Sequence, residues 1–288
     1  MKHRLCIATI IIATIITPFV IAASLSVARP RAQNLQITGL QITGPRHGAL
    51  VLAGGGATIP EMTRRFVELG GGKACRFVVI PSAIPPAELT AARLEHIKQR
   101  MPEIFGVTEA VVLHARNRAE ADTTEFVKPL QNATAVWFLG GDEDQLAELY
   151  AGTRTERELK ALADRGGVVG GTSAGAMILS QFVGDPQPGS TNPFAKRRNA
   201  FDLLKGAMIV PHWSERDLRL KVVDWLTAHP GVLVIGIDET AAAIVVGSKL
   251  EVIGSGHIGF YDGKTHAGKP YWLLSPGEFL DLKSISVS

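Results

Sequence analysis

Apolar runs alternate with amphipathic segments along most of the chain. The apolar runs are short, rich in Val, Ile and Ala, and bounded by glycine, which is typical of buried strands. The segments between them have the apolar spacing of helices that cover a sheet. The pattern predicts strands at 49–53, 76–80, 110–114, 135–139, 167–170, 207–210 and 232–237, and helices at 61–69, 86–100, 123–131, 144–150, 155–165, 174–182 and 215–228.

This order of elements predicts an α/β fold with a doubly wound, mostly parallel sheet. Residues 241–263 differ, because alternating Ile and Val are interrupted by Gly-Ser and Asp-Gly pairs that indicate β-hairpins. We expect a single α/β domain over residues 48–288, preceded by a linker at 29–47. Ligands of such sheets bind beyond the carboxyl ends of the strands, so the residues after each run are the candidates for chemistry.

Residues 1–28 have the pattern of a secretory leader. Lys2 and Arg4 precede an uncharged, strongly apolar stretch that ends in small residues. An uncleaved membrane anchor is the alternative, because the stretch reaches the roughly 20 residues that span a bilayer. Pro18 and the small residues after it favour cleavage. Both interpretations predict a secreted or periplasmic protein, which contacts a membrane only if the leader is retained.

The net charge of +3 belongs to the leader. The first 32 residues contain four Lys or Arg and no Asp or Glu, which leaves 26 basic and 27 acidic residues in the body. The body therefore lacks the basic excess of nucleic-acid-binding proteins. Cys6 lies in the leader, so a cleaved product keeps only Cys75 and has neither an internal disulfide nor a cysteine-based zinc site.

Ser173 is the strongest candidate for chemistry. An apolar strand runs into Gly171-Thr172-Ser173-Ala174-Gly175, and a helix of small residues follows. This is the strand-turn-helix context of the G-x-S-x-G motif, in which a sharp turn lifts the serine hydroxyl above the sheet. The alternative is a glycine-rich turn with a bystander serine.

Two further positions could complete such a site. Gly141 ends a double glycine after another apolar run, and its N–H could pair with that of Ala174 as an oxyanion hole; a plain turn is the alternative. His212 is the one histidine after the leader that directly follows an apolar run and precedes a predicted helix, with Ser214 as its N-cap. We therefore expect His212 to be the general base, in the same sheet as Ser173.

These motifs resemble those of the serine peptidases that include cyanophycinase and dipeptidase E, whose fold is related to the flavodoxin-like class I glutamine amidotransferases. The resemblance implies that Ser173 is the nucleophile, His212 its base, and the backbone of Gly141 and Ala174 the oxyanion hole. It covers most of residues 48–262 and includes Gly54-Gly55-Gly56, the Phe-x-Gly-Gly motif, the Gly-Gly-Thr-Ser-Ala-Gly-Ala turn, His212 followed by Arg216, and Gly236-Ile237-Asp238-Glu239-Thr240.

The acidic third member of the family site lies between the serine and the histidine. Asp185 and Asp202 are the only acidic residues in that interval, and Asp185, 12 residues after Ser173, is our candidate. Glu239 has two open interpretations: it lines the pocket or supports His212, or it only caps a turn and contacts solvent.

Gln145, Arg216 and Glu239 are the candidate substrate-binding residues. In cyanophycinases the histidine is usually preceded by Asp-Gln, and this chain has Val210 and Pro211 there. We therefore expect a peptide or isopeptide in general and not cyanophycin in particular.

Together these features predict a secreted serine hydrolase that cleaves a peptide or isopeptide amide near a chain end through an acyl-enzyme. No metal or organic cofactor is implied, and nothing indicates an oligomeric state. One alternative is a catalytically inactive binding protein of the same fold. Another is a glutamine amidotransferase-like protein, against which the serine at position 173 argues, because such enzymes usually use a thiolate.

Overall fold

The computed structural model describes residues 41–184 and 198–288. The leader, most of the predicted linker and Asp185 lie outside these residues. Within them the chain forms the strands β1 (Ala49–Ala53), β2 (Phe77–Ile80), β3 (Ala110–Val112), β4 (Ala135–Phe138), β5 (Val168–Thr172), β6 (Ser180–Val183), β7 (Arg198–Asn199), β8 (Leu204–Pro211), β9 (Leu233–Ile237), β10 (Ala241–Val246), β11 (Lys249–Gly254), β12 (Ile258–Tyr261), β13 (Trp272–Leu274) and β14 (Phe279–Asp281).

The first sheet has eight strands in the order β14-β11-β10-β1-β5-β4-β2-β3. Its five strands from β1 to β3 are parallel neighbours, as the runs of Val, Ile and Ala predict. Strands β10, β11 and β14 extend it antiparallel beyond β1, which confirms a hairpin between β10 and β11.

A second sheet of six strands was not predicted. Its order is β13-β12-β9-β8-β6-β7, with β6, β8 and β9 parallel. The runs at 207–210 and 232–237 therefore form strands as expected, but not in the sheet that contains β1 and β5. Strand propensity identifies a run that will pair, whereas the choice of partner depends on contacts between distant segments.

Eight helices pack against the sheets within the described residues. Four of the predicted helices agree with the structure within one residue at each end, and α3 was not predicted. The helices are α1 (Pro60–Leu69), α2 (Ala91–Phe105), α3 (Arg118–Ala121), α4 (Thr124–Asn132), α5 (Glu143–Tyr150), α6 (Arg154–Asp164), α7 (Ala174–Met177) and α8 (Lys221–Ala228).

Three helix predictions were wrong at their ends. Helix α2 begins five residues later than predicted, where the Thr90 hydroxyl accepts the N–H of Arg93 at 3.2 Å, and it ends at Gly106, whose φ is 69°. Helix α7 lasts one turn, because the chain then enters β6 of the second sheet. Helix α8 begins at Lys221, and Ser214 does not cap it, because the hydroxyl of Ser214 bonds to Asp238.

Alternate residues of β1 enter two separate cores. Leu50 and Leu52 pack in a core shared with the second sheet, which contributes Ile209 and Ile235. Val51 faces the other side, where α1 and α2 cover the first sheet. A third core, built around Trp213, lies between the second sheet and α8. The two sheets are therefore joined by buried apolar side chains, and this brings the ends of strands from both sheets together.

The described residues form one compact unit. Over 41–184 and 198–288, no helix has the length and apolar character needed to cross a membrane. The same residues contain no group of three or more His, Cys, Asp or Glu side chains arranged to hold a metal ion.

Candidate active site

Ser173 lies on a strained turn between β5 and α7. Its φ is 55° and its ψ is −123°, a conformation that non-glycine residues rarely adopt. The strand and the helix approach closely here, because a Cβ on Gly171 would come within 2.2 Å of the carbonyl oxygen of Gly175. The predicted strand-turn-helix motif is therefore present, with the serine at its apex.

His212 reaches Ser173 from the other sheet. The two residues are held by consecutive carbonyls at the end of β1: the N–H of Ser173 donates to Ala53 at 3.1 Å, and the N–H of His212 donates to Gly54 at 2.8 Å. The Ser173 Oγ and the His212 Nε2 are 2.9 Å apart. The expectation that both belong to one sheet was wrong, but the expected contact between them is present.

Glu239 completes a chain of three side chains. Its Oε1 lies 2.6 Å from Nδ1 of His212. The backbone N–H of Glu239 donates to the carboxylate of Glu215 at 3.1 Å, which helps to hold the turn after β9. The neutral imidazole has one N–H, and a carboxylate at Nδ1 keeps that proton there, so that Nε2 can accept the proton of Ser173.

Among the described residues, the carboxylate at Nδ1 of His212 is that of Glu239. Asp185 itself lies outside the described residues, and His212 Nδ1 already has a carboxylate partner. The sequence signal for Glu239 was the Asp-Glu pair directly after the run at 232–237. Support of His212 by Glu239 was one of the two interpretations that the sequence left open. In the structure Asp238 is buried and accepts the Ser214 hydroxyl and the N–H of His257, which leaves Glu239 to face the histidine.

Three consecutive glycines after β1 pack against His212 and the turn that contains Asp238 and Glu239. A Cβ on Gly55, whose φ is 113°, would lie 2.3 Å from Cε1 and 2.5 Å from Nε2 of His212. Gly54 and Gly56 lie against the backbone of Asp238 and Glu239 in the same way. The glycine run therefore permits close contact with both the base and the acid.

Gly141 and Ala174 lie on the two sides of Ser173. A Cβ on the neighbouring Gly140 would be 3.2 Å from Cβ of Ser173, so the double-glycine turn contacts the serine directly. No backbone acceptor for the N–H of Gly141 is found within residues 41–184 and 198–288. Ala174 is the first residue of α7, where the N–H has no acceptor within the helix. Both N–H groups are thus available to an oxyanion.

Gln145 supports the turn next to Gly141. Its side-chain amide donates to the carbonyls of Ser82 and Ile84, the latter at 3.0 Å. Gly141 packs against the same turn, since a Cβ there would lie 2.1 Å from the carbonyl oxygen of Ala83. The structure does not bring Gln145 to the serine, the histidine or the glutamate, and its contacts are those of a residue that holds the turn rather than a substrate.

The Ser82 hydroxyl holds the turn after β2 in place through two side-chain contacts. It lies 2.8 Å from Nδ1 of His114 and 2.6 Å from the hydroxyl of Tyr150, which also accepts the N–H of Ala115 at 3.2 Å. Burial raises the pKa of Tyr150 to about 12, so the phenol stays protonated at neutral pH. Burial lowers the pKa of His114 from its usual value. The contact joins the ends of two parallel neighbours, because Ser82 follows β2 and His114 follows β3.

Arg216 lies on the first turn after His212. Its N–H donates to the His212 carbonyl at 3.0 Å, and its side chain is exposed. The structure does not include it in the chain of Ser173, His212 and Glu239, and a substrate-binding role for it stays a prediction.

The chain is similar to known peptidases. The sequence pattern of peptidase family S51 matches residues 50–253. A cyanophycinase from Thermosynechococcus vestitus is 32% identical over 231 residues, which are 75% of this chain and 69% of that protein. A cyanophycinase from Geminocystis herdmanii is 28% identical over 229 residues, 76% of this chain and 82% of that protein.

A solved structure also superimposes on the fold. A peptidase from an acI-B1 actinobacterium matches with a TM-score of 0.66 at 25% identity, covering 83% of this chain and 98% of that one. The fold and these relatives define a serine-type peptidase with a class I glutamine amidotransferase-like fold. The chain belongs to peptidase family S51.

Proposed function

We propose that the chain hydrolyses a peptide or isopeptide amide with Ser173 as nucleophile, His212 as general base and Glu239 as the residue that orients the histidine. The observation that carries this proposal is the unbroken contact from Ser173 Oγ to His212 Nε2 at 2.9 Å and from His212 Nδ1 to Glu239 at 2.6 Å. A nucleophile, a base and a third group that orients the base are what nucleophilic hydrolysis requires.

In the first half-reaction, Ser173 Oγ attacks the amide carbon while its proton passes to Nε2 of His212. The imidazolium that forms is stabilised by the carboxylate of Glu239. Negative charge builds up on the carbonyl oxygen, where the N–H groups of Gly141 and Ala174 donate hydrogen bonds. The tetrahedral intermediate then breaks its C–N bond, and His212 gives the proton to the leaving amine.

In the second half-reaction, a water molecule attacks the acyl-enzyme. Nε2 of His212 accepts one proton of the water and returns a proton to Ser173 Oγ as the ester C–O bond breaks. The products are a carboxylic acid and an amine, and the enzyme regains its starting protonation. Every step uses side chains and backbone N–H groups of the chain itself.

Substrates near a chain end are the first to test. Relatives described as cyanophycinases support an isopeptide among the trial substrates. We further propose that the enzyme works outside the cytoplasm, which the leader at 1–28 supports. Fractionation of cells that express the full chain, with N-terminal sequencing of the mature form, tests this; recovery of the uncut chain in the cytoplasm would overturn it.

The proposed chemistry is tested by fluorophosphonate labelling of the protein without its leader, followed by intact-mass measurement. We expect one label per chain on Ser173, no label on Ser173→Ala, and much slower labelling of His212→Ala. Ser255→Ala, which changes an exposed serine, is the matched control and should label at the normal rate. A folded protein without label would instead favour a binding protein that has lost the chemistry.

A further inference from the structure

An apolar cavity of about 220 Å³ lies next to the proposed active site. Its walls come from three elements that cover or form the first sheet: α1, α2 and the end of β4. The side chains that they contribute are large and uncharged, namely Met62, Met101, Ile104, Phe105, Trp137 and Leu139. At one end the cavity reaches the surface, because residues 56–58 line it and are exposed.

The lining also includes residues that adjoin the proposed catalytic groups. Gly55 lines it and packs against the imidazole of His212. Thr172, the residue before Ser173, also lines it, as does Glu239. A substrate whose amide lies at Ser173 Oγ therefore has a neighbouring side chain within reach of the cavity.

The lining determines which side chain can enter. Among the described residues that line the cavity, Glu239 is the only ionisable one, and its Oε1 is bonded to His212. An acidic side chain would lose its hydration and be repelled by this carboxylate, whereas an apolar side chain that packs against the large uncharged lining is favoured by leaving water.

The volume sets the size of the occupant. An apolar cavity of roughly 150 Å³ in another protein binds benzene, so 220 Å³ is sufficient for a phenyl or isobutyl group. It is too small for a drug-sized molecule, which needs about 300 Å³ or more. A single side chain of leucine or phenylalanine size fits both limits.

We propose that this cavity, lined by Met62, Met101, Phe105, Trp137 and Leu139, is the specificity pocket of the peptidase and takes an apolar side chain next to the attacked amide. The proposal rests on the proposed function. It names substrates with Leu- or Phe-like residues beside the scissile bond, in contrast to charged Asp or Arg.

The first test is a matched series of peptides that differ only in one residue beside the scissile amide, with the series repeated on either side of the bond. We expect kcat/KM for Leu or Phe to exceed that for Ala, Asp and Arg on one side by about 10-fold or more, since one methylene in an apolar pocket changes the rate about 10–200-fold. Active-site titration with the fluorophosphonate corrects each rate for the fraction of active protein.

The second test narrows the cavity. Ala57 is an exposed lining residue, and Ala57→Leu places an isobutyl group at the open end. We expect the ratio of kcat/KM for the Phe peptide to that for the Ala peptide to fall about tenfold. Ala92→Leu adds the same side chain to an exposed position of α2 that does not line the cavity, and the ratio should stay at the wild-type value. If Ala57→Leu fails to fold, Ile104→Asp is measured instead, with a fall in the same ratio expected.

The outcomes separate the two proposals. Without fluorophosphonate label on folded protein, the proposed function fails. If labelling is normal, two results overturn the specificity pocket alone. One is a preference for Asp or Arg on both sides of the bond. The other is an equal ratio of kcat/KM for the Phe and Ala peptides in Ala57→Leu and Ala92→Leu.

Discussion

The carboxylate of Glu239 lies 2.6 Å from Nδ1 of His212, the nitrogen that faces away from Ser173. The two residues follow β9 and β8, which are parallel neighbours in the second sheet, with Pro211 paired to Ile237 at their ends. The acid and the base thus come from adjacent strand ends of one sheet, and the serine comes from the other sheet. The distance between Ser173 and His212 therefore depends on how the two sheets pack against each other.

Glu239→Gln should lower kcat strongly while the protein stays folded. The amide can still contact Nδ1, but it has no negative charge to stabilise the imidazolium and no longer fixes the tautomer. Loss of this partner in a serine triad costs up to about 10⁴-fold in kcat. The check is kcat on the best peptide from the series above, together with the rate of fluorophosphonate labelling.

Asp185→Asn is the control for that prediction. His212 Nδ1 already has Glu239 as its partner, so this variant should keep kcat within about threefold of the wild type, which is less than 1 kcal/mol of barrier. The opposite pattern, with a large loss in Asp185→Asn and little change in Glu239→Gln, would restore Asp185 as the acid.

Gly55→Ala should abolish labelling of Ser173. The new methyl group would lie 2.3 Å from Cε1 of His212, so the ring must leave its contact with the serine. Gly106→Ala is the matched control, because Gly106 also has a positive φ, 69°, but nothing lies within 4 Å of the added Cβ. Gly106→Ala should lose about 1–2 kcal/mol of stability from its left-handed backbone. Gly55→Ala should lose more, because its methyl group also overlaps the imidazole, and only Gly55→Ala loses the label. Equal labelling of the two would show that the methyl group is accommodated while the imidazole keeps its contact with Ser173.

Ser82→Ala should reduce both stability and activity. It removes the contacts of one buried hydroxyl with His114 and Tyr150, which we expect to cost about 1–3 kcal/mol in the free energy of unfolding. The turn that it anchors packs against Gly141, and a small displacement of a catalytic group can lower kcat up to about 100-fold. Urea unfolding and kcat test this. Unchanged kcat in a destabilised variant would show that this turn does not position the N–H of Gly141.

Protonation of His114 should lower the free energy of unfolding as the pH falls below neutrality. Burial lowers the pKa of His114 in the folded protein, so on acidification the unfolded chain takes up this proton first. The stability contribution is therefore present above the unfolded pKa of about 6.5 and is lost as pH falls through the lower, folded value. His114→Asn should show a smaller drop in the free energy of unfolding between pH 7 and pH 5.5.

The expected difference is below about 1 kcal/mol, because the ring is partly exposed to solvent. Urea unfolding at pH 7, 6.5, 6 and 5.5 measures it in both proteins. A drop of equal size in both would mean that another group causes the acid sensitivity.

Local pattern was sufficient to predict most elements of this fold. The buried strands have continuous runs of Val, Ile and Ala, and the helices that lie between them have one apolar face, so period alone separates the two. The pattern failed at α7 and α8. The predicted helix at 174–182 stops short because residues 180–182 pair with β8, and pairing with a distant strand outweighs local preference.

The sequence by itself identified the proposed nucleophile, its base and the two proposed oxyanion N–H groups, because each comes shortly after a strand and strand ends form the ligand-binding edge of an α/β sheet. Only the tertiary structure decided which carboxylate meets His212, that the base belongs to a second sheet, and that Gly55 must lack a side chain. The apolar cavity also arises from side chains of α1, α2 and β4 that are distant in the sequence. The physical reason is the same in each case: strand and helix periodicity are local properties, whereas a carboxylate–imidazole contact or a cavity depends on how separate segments pack.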